Sequence, residues 1–337
     1  MKNFIFFMGA LLTSLLMFSC SSNEELNGVV SHSEKKDLRG VYARSSEYPR
    51  VPTASEEDQL RDWFPKLDMS KVMITGPATK AYNCVAWALG IDYKWINFPS
   101  FLGEFEYLFE NAKALEGAPY NFTVVSALSN GADVDGWGLN SSDMTHASVF
   151  YQTGYYESKI GNAWRITHDR EGLSWYMGPG SYGDVVTSFN KSFFLYDSKE
   201  EFARKRELAM QKLSPVEISP EKKNALFVKN RNNSDGNFEK VFAAWVNRWM
   251  FPKAAPSSRL EDAKDLPEFS QLLAMGTKIL PLVVEKMLDD ENLLAVVLYD
   301  ALQDNKELKV MYVGDEYLKG EQYRMRLSAK KWIDSNL

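Results

Sequence analysis

The chain has 337 residues, with 45 acidic against 39 basic side chains and a net charge of −6. A hydrophobic content of 45% and a charged content of 25% are those of an ordinary globular protein. The mild acidity and the lack of a Lys/Arg stripe argue against nucleic acid as a partner. The length allows two domains with separate cores. Two cysteines and three histidines confine thiol and imidazole chemistry to few positions.

Residues 1–20 read as an export signal. Lys2 precedes an apolar run from Phe4 to Phe18, shorter than the roughly 20 residues of a spanning helix. The run ends in Met17-Phe18-Ser19-Cys20 and resembles a bacterial lipoprotein signal. That resemblance implies a lipid anchor at Cys20 in the cell envelope. Ser21 after the cysteine points towards the outer membrane. Residues 21–55 are polar and lack periodicity, which predicts a flexible stalk carrying His32.

From residue 56 to 197 the composition changes. Asp58 to Phe64 predicts a short helix broken by Pro65. Ala78 to Gly90 predicts a second, with Thr79 as cap and Val85, Ala88 and Leu89 on one face. Phe101 to Leu115 predicts a third. Strands are expected at Phe122–Val125, His146–Tyr151, Tyr155–Ile160, Trp164–His168, Val185–Val186 and Phe193–Tyr196. Ser129 to Gly138 lacks the ligand pattern of a calcium loop and reads as surface loop. Helices followed by an antiparallel meander make this an α+β domain.

Residues 198–337 read as a small all-α module. Helices are expected at Lys199–Lys212, Phe238–Met250, Pro267–Met275, Pro281–Leu288 and Asn292–Leu302, with a loop at Asn230–Asn237. The stretch from Leu266 to Leu288 resembles HEAT-like helix pairs. Phe238, Phe242, Trp245 and Trp249 form a helical stripe of core type. The module carries no catalytic constellation and is read as surface for a partner of unspecified kind.

The chemistry falls between Tyr82 and Gly183. With Cys20 lipidated, Cys84 has no intrachain disulfide partner. A thiol nucleophile needs its anion favoured by a helix N-terminus, a base to take the proton and a group to orient that base. Cys84 stands near the start of the second helix. His146 opens an alternating strand on which His146, Ser148 and Phe150 share a face, so it can address a helix packed there. His168 ends a later strand.

This layout resembles the papain-like fold in its NlpC-type form, a superfamily of cysteine peptidases and amidases. The chain also resembles an uncharacterised bacterial lipoprotein domain family. Its marks are Tyr82-Asn83-Cys84-Val85-Ala86-Trp87-Ala88, His146-Ala147, Ser158-Lys159-Ile160-Gly161, His168 and Tyr182-Gly183. The resemblance covers roughly residues 60–197. It implies N-terminal helices packed on an antiparallel sheet, Cys84 as nucleophile and His146 as general base. Ser158 or His168 would orient the base, and Tyr82 or Asn83 would assist the Cys84 N–H as oxyanion donors. The implied substrate is a peptide or peptidoglycan stem peptide, and no cofactor is called for. Two other readings stand beside it. One is a zinc site from Cys84, His146, His168 and Asp143, against which the spacing argues. The other is a non-catalytic surface lipoprotein that binds a peptide, glycan or protein through a degenerate papain-like domain.

Overall fold

A computed structural model of the chain describes residues 47–115, 117–174, 182–212, 216–232, 236–250, 252 and 256–337. The expected signal, Cys20, His32 and most of the expected stalk lie outside the described residues. The folded body begins before residue 56. Arg50 exchanges backbone hydrogen bonds with Ile74. Thr53 caps helix α1 (Ala54–Trp63) in a reciprocal capping box with Glu56.

The architecture is α+β. Seven strands, β1 (Ile74–Gly76), β2 (Tyr120–Val125), β3 (Val134–Asn140), β4 (Asp143–Gln152), β5 (Tyr155–Lys159), β6 (Arg165–His168) and β7 (Asp184–Phe194), form one antiparallel sheet. Their order is β1-β6-β5-β4-β3-β7-β2. Helices α2 (Cys84–Ala88) and α3 (Leu102–Glu110) pack with Val134, Met144, Ala147, Val149 and Phe189 in one core. Helix α1 packs on the other side, with Leu60, Trp63 and Phe64 against Trp137, Ile166 and Tyr182.

Strand alternation sorts the side chains of β4 between these cores. Ala147 belongs to the core with Cys84. Ser148 accepts a 2.9 Å hydrogen bond from the Trp137 indole N–H. His146 stacks on Tyr182, with ring centroids 4.1 Å apart. The face shared by His146 and Ser148 is therefore the α1 face, and the helix that carries Cys84 packs on the opposite one.

Of the segment expected as surface loop, Ser129 to Gly138, the first half is turn as expected, whereas Val134 to Gly138 enters the sheet in β3, flanked by β4 and β7. Its glycines are packing devices. A Cβ on Gly136 would lie 2.7 Å from Thr187 Cγ2 and 2.8 Å from Phe105 Cε1. Asp135 is buried because Arg170 donates to both its carboxylate oxygens at 2.7 Å. The acidic and glycine content that suggests a loop here serves a buried strand.

The second half contains α4 (Lys199–Lys212), α5 (Pro220–Asn232), α6 (Gly236–Met250), α7 (Pro267–Ala274), α8 (Leu280–Lys286), α9 (Leu294–Leu302) and α10 (Glu321–Asn336). Phe238, Phe242, Trp245 and Trp249 are buried on α6 as their spacing predicts. Helix α5 runs through Asn232, where a loop was expected from Asn230. Asn230 is buried, and its amide donates to Pro281 O at 2.9 Å and Glu285 Oε2 at 2.6 Å. The two halves share their cores. Phe202 of α4 packs with Phe194 and Tyr196 beside the sheet, and Trp95 packs into the helical core against Trp249.

Candidate active site

Asn83 decides where α2 begins. Its backbone is extended and its Oδ1 accepts from the Ala86 N–H, the work of an N-cap. Helix therefore starts at Cys84 rather than at Ala78. Thr79 does not cap it; the Thr79 N–H donates to Asn162 O. The Asn83 amide nitrogen donates to Ile96 O at 2.7 Å and Ser258 O at 3.2 Å. Its hydrogen-bonding capacity is spent on structure, which removes it as an oxyanion donor.

The Cys84 sulfur has no exposed surface. Burial pushes its thiol up to about 11, opposed by the Ser258 hydroxyl, the Ala147 and Val85 N–H groups and the Lys159 charge. The Ser258 hydroxyl has no hydrogen-bond partner within geometric limits, so the sulfur is the polarisable group it faces. Ser258 comes from the helical half, where the sequence suggested no contribution to the site.

His146, Ser158 and His168 come together from three adjacent strands, and all three are fully buried. Ser158 Oγ lies 2.9 Å from His146 Nε2 and 2.8 Å from His168 Nε2. His168 Nδ1 lies 2.7 Å from the Asp169 carbonyl oxygen. These contacts determine the proton positions. A carbonyl only accepts, so His168 Nδ1 carries the proton and its Nε2 is bare. The Ser158 hydroxyl then donates to His168 and accepts from the His146 Nε2–H. His146 Nδ1 is left as a bare acceptor, and it has no hydrogen-bond partner.

The expected Cys84–His146 hydrogen bond is therefore not formed in this structure, and no hydrogen bond joins His168 to the sulfur either. Cys84 instead interacts with the Ala147 N–H, one peptide unit from His146. Burial pushes His146 well below the ordinary histidine range, and His168 reinforces the shift. Burial also takes His168 down to about 4. The resting groups are a neutral thiol and neutral imidazoles.

Three residues join the site without having been assigned a role in it from sequence. Tyr182 stacks on His146, donates through its hydroxyl to Pro256 O at 2.9 Å and is electrostatically coupled to Cys84. Lys159 is fully buried, and its Nζ donates to the carbonyl oxygens of Thr79, Gly161 and Ala163 at 3.0, 2.7 and 2.6 Å. Burial drives its pKa well below the lysine range, which the nearby Cys84 opposes. Ser258 is the third. Tyr182 and Lys159 both fall within the motif set quoted above; nothing in the sequence marks Ser258. Tyr82 turns its hydroxyl to Arg165 at 3.3 Å. Asp143 pairs with Arg259 at 2.8 Å. Among the described residues no three His, Cys, Asp or Glu side chains gather as metal ligands, and Asp143 is committed elsewhere, so the zinc alternative lacks its ligand set.

The fold and site define a seven-stranded antiparallel α+β domain with a thiol at a helix start and an imidazole–hydroxyl–imidazole relay across three strands. A family model described as a domain of unknown function (DUF7689) matches residues 73–190. That span includes Cys84, His146, Ser158, Lys159, His168 and Tyr182. No curated protein matches the chain, and no solved structure matches it.

Proposed function

We propose that the chain is a thiol-dependent peptidase or amidase of papain-like, NlpC-type layout, carried on an exported lipoprotein. The observation that carries this reading is the relay from the Asp169 carbonyl through His168 and Ser158, which leaves His146 Nδ1 bare and unpartnered beside the residue that contacts Cys84. A buried acceptor without a partner is costly, about 1–3 kcal/mol. A site that maintains one has a lone pair ready for an incoming proton. The relay also supports a joint role for Ser158 and His168 as the orienting groups.

The proposed reaction requires α2 to shift, because the Cys84 sulfur packs against the face of β4 opposite His146; once the sulfur reaches His146 Nδ1, the thiol proton passes to that nitrogen as the sulfur attacks an amide carbonyl carbon. The imidazolium returns that proton to the leaving amine as the C–N bond breaks, which leaves a thioester. Water, deprotonated by the same nitrogen, then attacks the thioester, releasing the acid and restoring the thiol. The Ala147 and Val85 N–H groups and the Ser258 hydroxyl favour the developing thiolate. The chemistry is that of a neutral pair acting by general-base catalysis, and the sulfur must become accessible to substrate, since Ser258 faces it in this form. Incubation with peptides and peptidoglycan fragments, followed by mass spectrometry, tests the reading. Amide cleavage lost in Cys84→Ala and in His146→Gln supports it; cleavage that survives either change removes it.

Complete burial of the sulfur favours a second reading, a non-catalytic domain that binds a partner and keeps Cys84 as core. Under that reading Cys84→Ala changes no activity and binding persists. The remaining parts of the proposal rest on sequence. They are a lipid anchor at Cys20 in the envelope, with the outer membrane favoured, and HEAT-like pairing in the helical half, whose partner is left unnamed.

A further inference from the structure

One short segment of the helical half, Pro256 to Arg259, lies across the residues gathered around Cys84. We propose that it is an autoinhibitory strap that shields the thiol and pins α2, with Arg259 as its latch. The inhibitory role rests on the thiol reading; the shielding stands without it.

The strap meets the parts of the site in turn. Pro256 O accepts from the Tyr182 hydroxyl at 2.9 Å, and Tyr182 stacks on His146. Pro256 also packs on Gly161, where a Cβ would lie 2.7 Å from Pro256 O. Ser258 O accepts from the Asn83 amide nitrogen at 3.2 Å and from the Trp95 indole N–H at 3.1 Å. Asn83 is the N-cap of α2, so the strap is bonded to the residue before Cys84. It thus runs from the ring that covers His146 to the start of the helix that carries the sulfur. Pro256, Ser258 and Cys84 are all buried. While the strap is closed, α2 is held where the sulfur cannot reach His146.

The way the strap is held makes it separable. Among the described residues no backbone-to-backbone hydrogen bond joins residues 256–259 to the sheet domain. Its ties to that half run through side chains and end in an ionic cluster. Arg259 donates to Asp143 Oδ1 at 2.8 Å and Ser100 Oγ at 2.9 Å across the junction, and to Asp262 Oδ1 at 2.9 Å in its own half. The Asp143 and Asp262 side chains are 34% and 37% exposed, so water can take over their bonds when the latch opens. Release leaves every rung of the sheet in place, which puts it among local openings rather than global unfolding. The Ser258 hydroxyl adds to the bias. It is buried without a hydrogen-bond partner in the closed form, a cost that ends once water meets it.

Alkylation of Cys84 by iodoacetamide in the full chain, read by peptide mass spectrometry, tests the strap. It needs an exposed sulfur but neither a substrate nor His146. Arg259→Met removes the latch charge and keeps an unbranched side chain. Asp143→Asn weakens the same pair from the sheet side and serves if the first variant does not fold. Each should quicken alkylation at least about tenfold, the loss of one charged hydrogen bond. That rate should stay level in urea up to the onset of unfolding, because opening a strap exposes little surface. Leu298→Ala, in the buried core of the helical half, is the destabilised control, and any gain there should climb with urea. An unchanged rate in either folded latch variant, or a gain that climbs with urea as in the control, overturns the strap. Faster alkylation in a chain that cleaves no amide upholds the shielding and counts against the thiol reading alone.

Discussion

Replacing Asn83 by alanine should cost about 2–4 kcal/mol of stability. The side chain has two separable jobs. As N-cap it accepts from Ala86 N at 3.1 Å, and loss of such a cap costs roughly 1 kcal/mol. Its amide nitrogen also donates to Ile96 O and Ser258 O. Ser258 O retains a second donor, the Trp95 indole N–H at 3.1 Å, so it is not orphaned. Ile96 O loses its side-chain donor inside the core, at about 1–3 kcal/mol. Urea denaturation followed by tryptophan fluorescence measures the sum as a shift in midpoint at constant slope. The same change loosens the segment that places Ser258 on the sulfur, so alkylation of Cys84 by iodoacetamide should quicken in the folded variant. A stability loss below about 0.5 kcal/mol, the range of ordinary surface substitutions, with an unchanged alkylation rate would refute the reasoning.

The buried histidines make stability depend on pH. His168 is depressed from 6.5 to about 4 in the fold, so below pH 6.5 the unfolded chain takes up a proton that the folded chain does not. Its contribution is present above pH 6.5 and is lost as pH falls towards 4, by about 3 kcal/mol in all. His146 shifts in the same direction. Urea midpoints between pH 7 and 4 should fall and should fall less steeply in His168→Gln; a flat profile for the wild type would contradict the burial argument. For the N-terminus, metabolic labelling with a fatty-acid analogue should mark the wild-type chain and not Cys20→Ala, and equal labelling of both would remove the anchor.

Particular residues show which parts of the structure could be read in advance. The stripe on α6 was legible because Phe238, Phe242, Trp245 and Trp249 repeat at helical spacing against a polar remainder. Strands β4 and β6 were legible from alternation and β5 from its place between them, while the setting of Ser158 and His168 beside His146 was implied by the resemblance to the NlpC-type layout. Strand β3 was hidden because Gly136 and Gly138 yield space to neighbouring chain and Asp135 is neutralised by Arg170 from a distant loop. The start of α2 was misplaced because local pattern could not weigh Thr79 against Asn83. Tertiary partners at Ile96 and Ser258 settle it. The face of His146 went wrong for a related reason. Alternation tells which residues share a face, and only the packing of α1 and α2 tells which helix covers it. Ser258 was illegible altogether, since its position depends on a contact 174 residues from Cys84 in sequence. Helix α10 carried a readable spacing in Met325, Ala329, Trp332 and Ile333 that its charged neighbours obscured.

The most direct test of the thiol site is acylation of native protein by p-nitrophenyl acetate, read by peptide mass spectrometry across pH. One acetyl group is expected on Cys84, lost in Cys84→Ala and in His146→Gln and reduced in Ser158→Ala. Its rate should stay level as pH falls through 6.5, because burial keeps His146 in its basic form there. Acetylation of lysines alone, labelling of Cys84 only after unfolding in urea, or an equal rate in His146→Gln would contradict the assignment of Cys84 as nucleophile and His146 as its base.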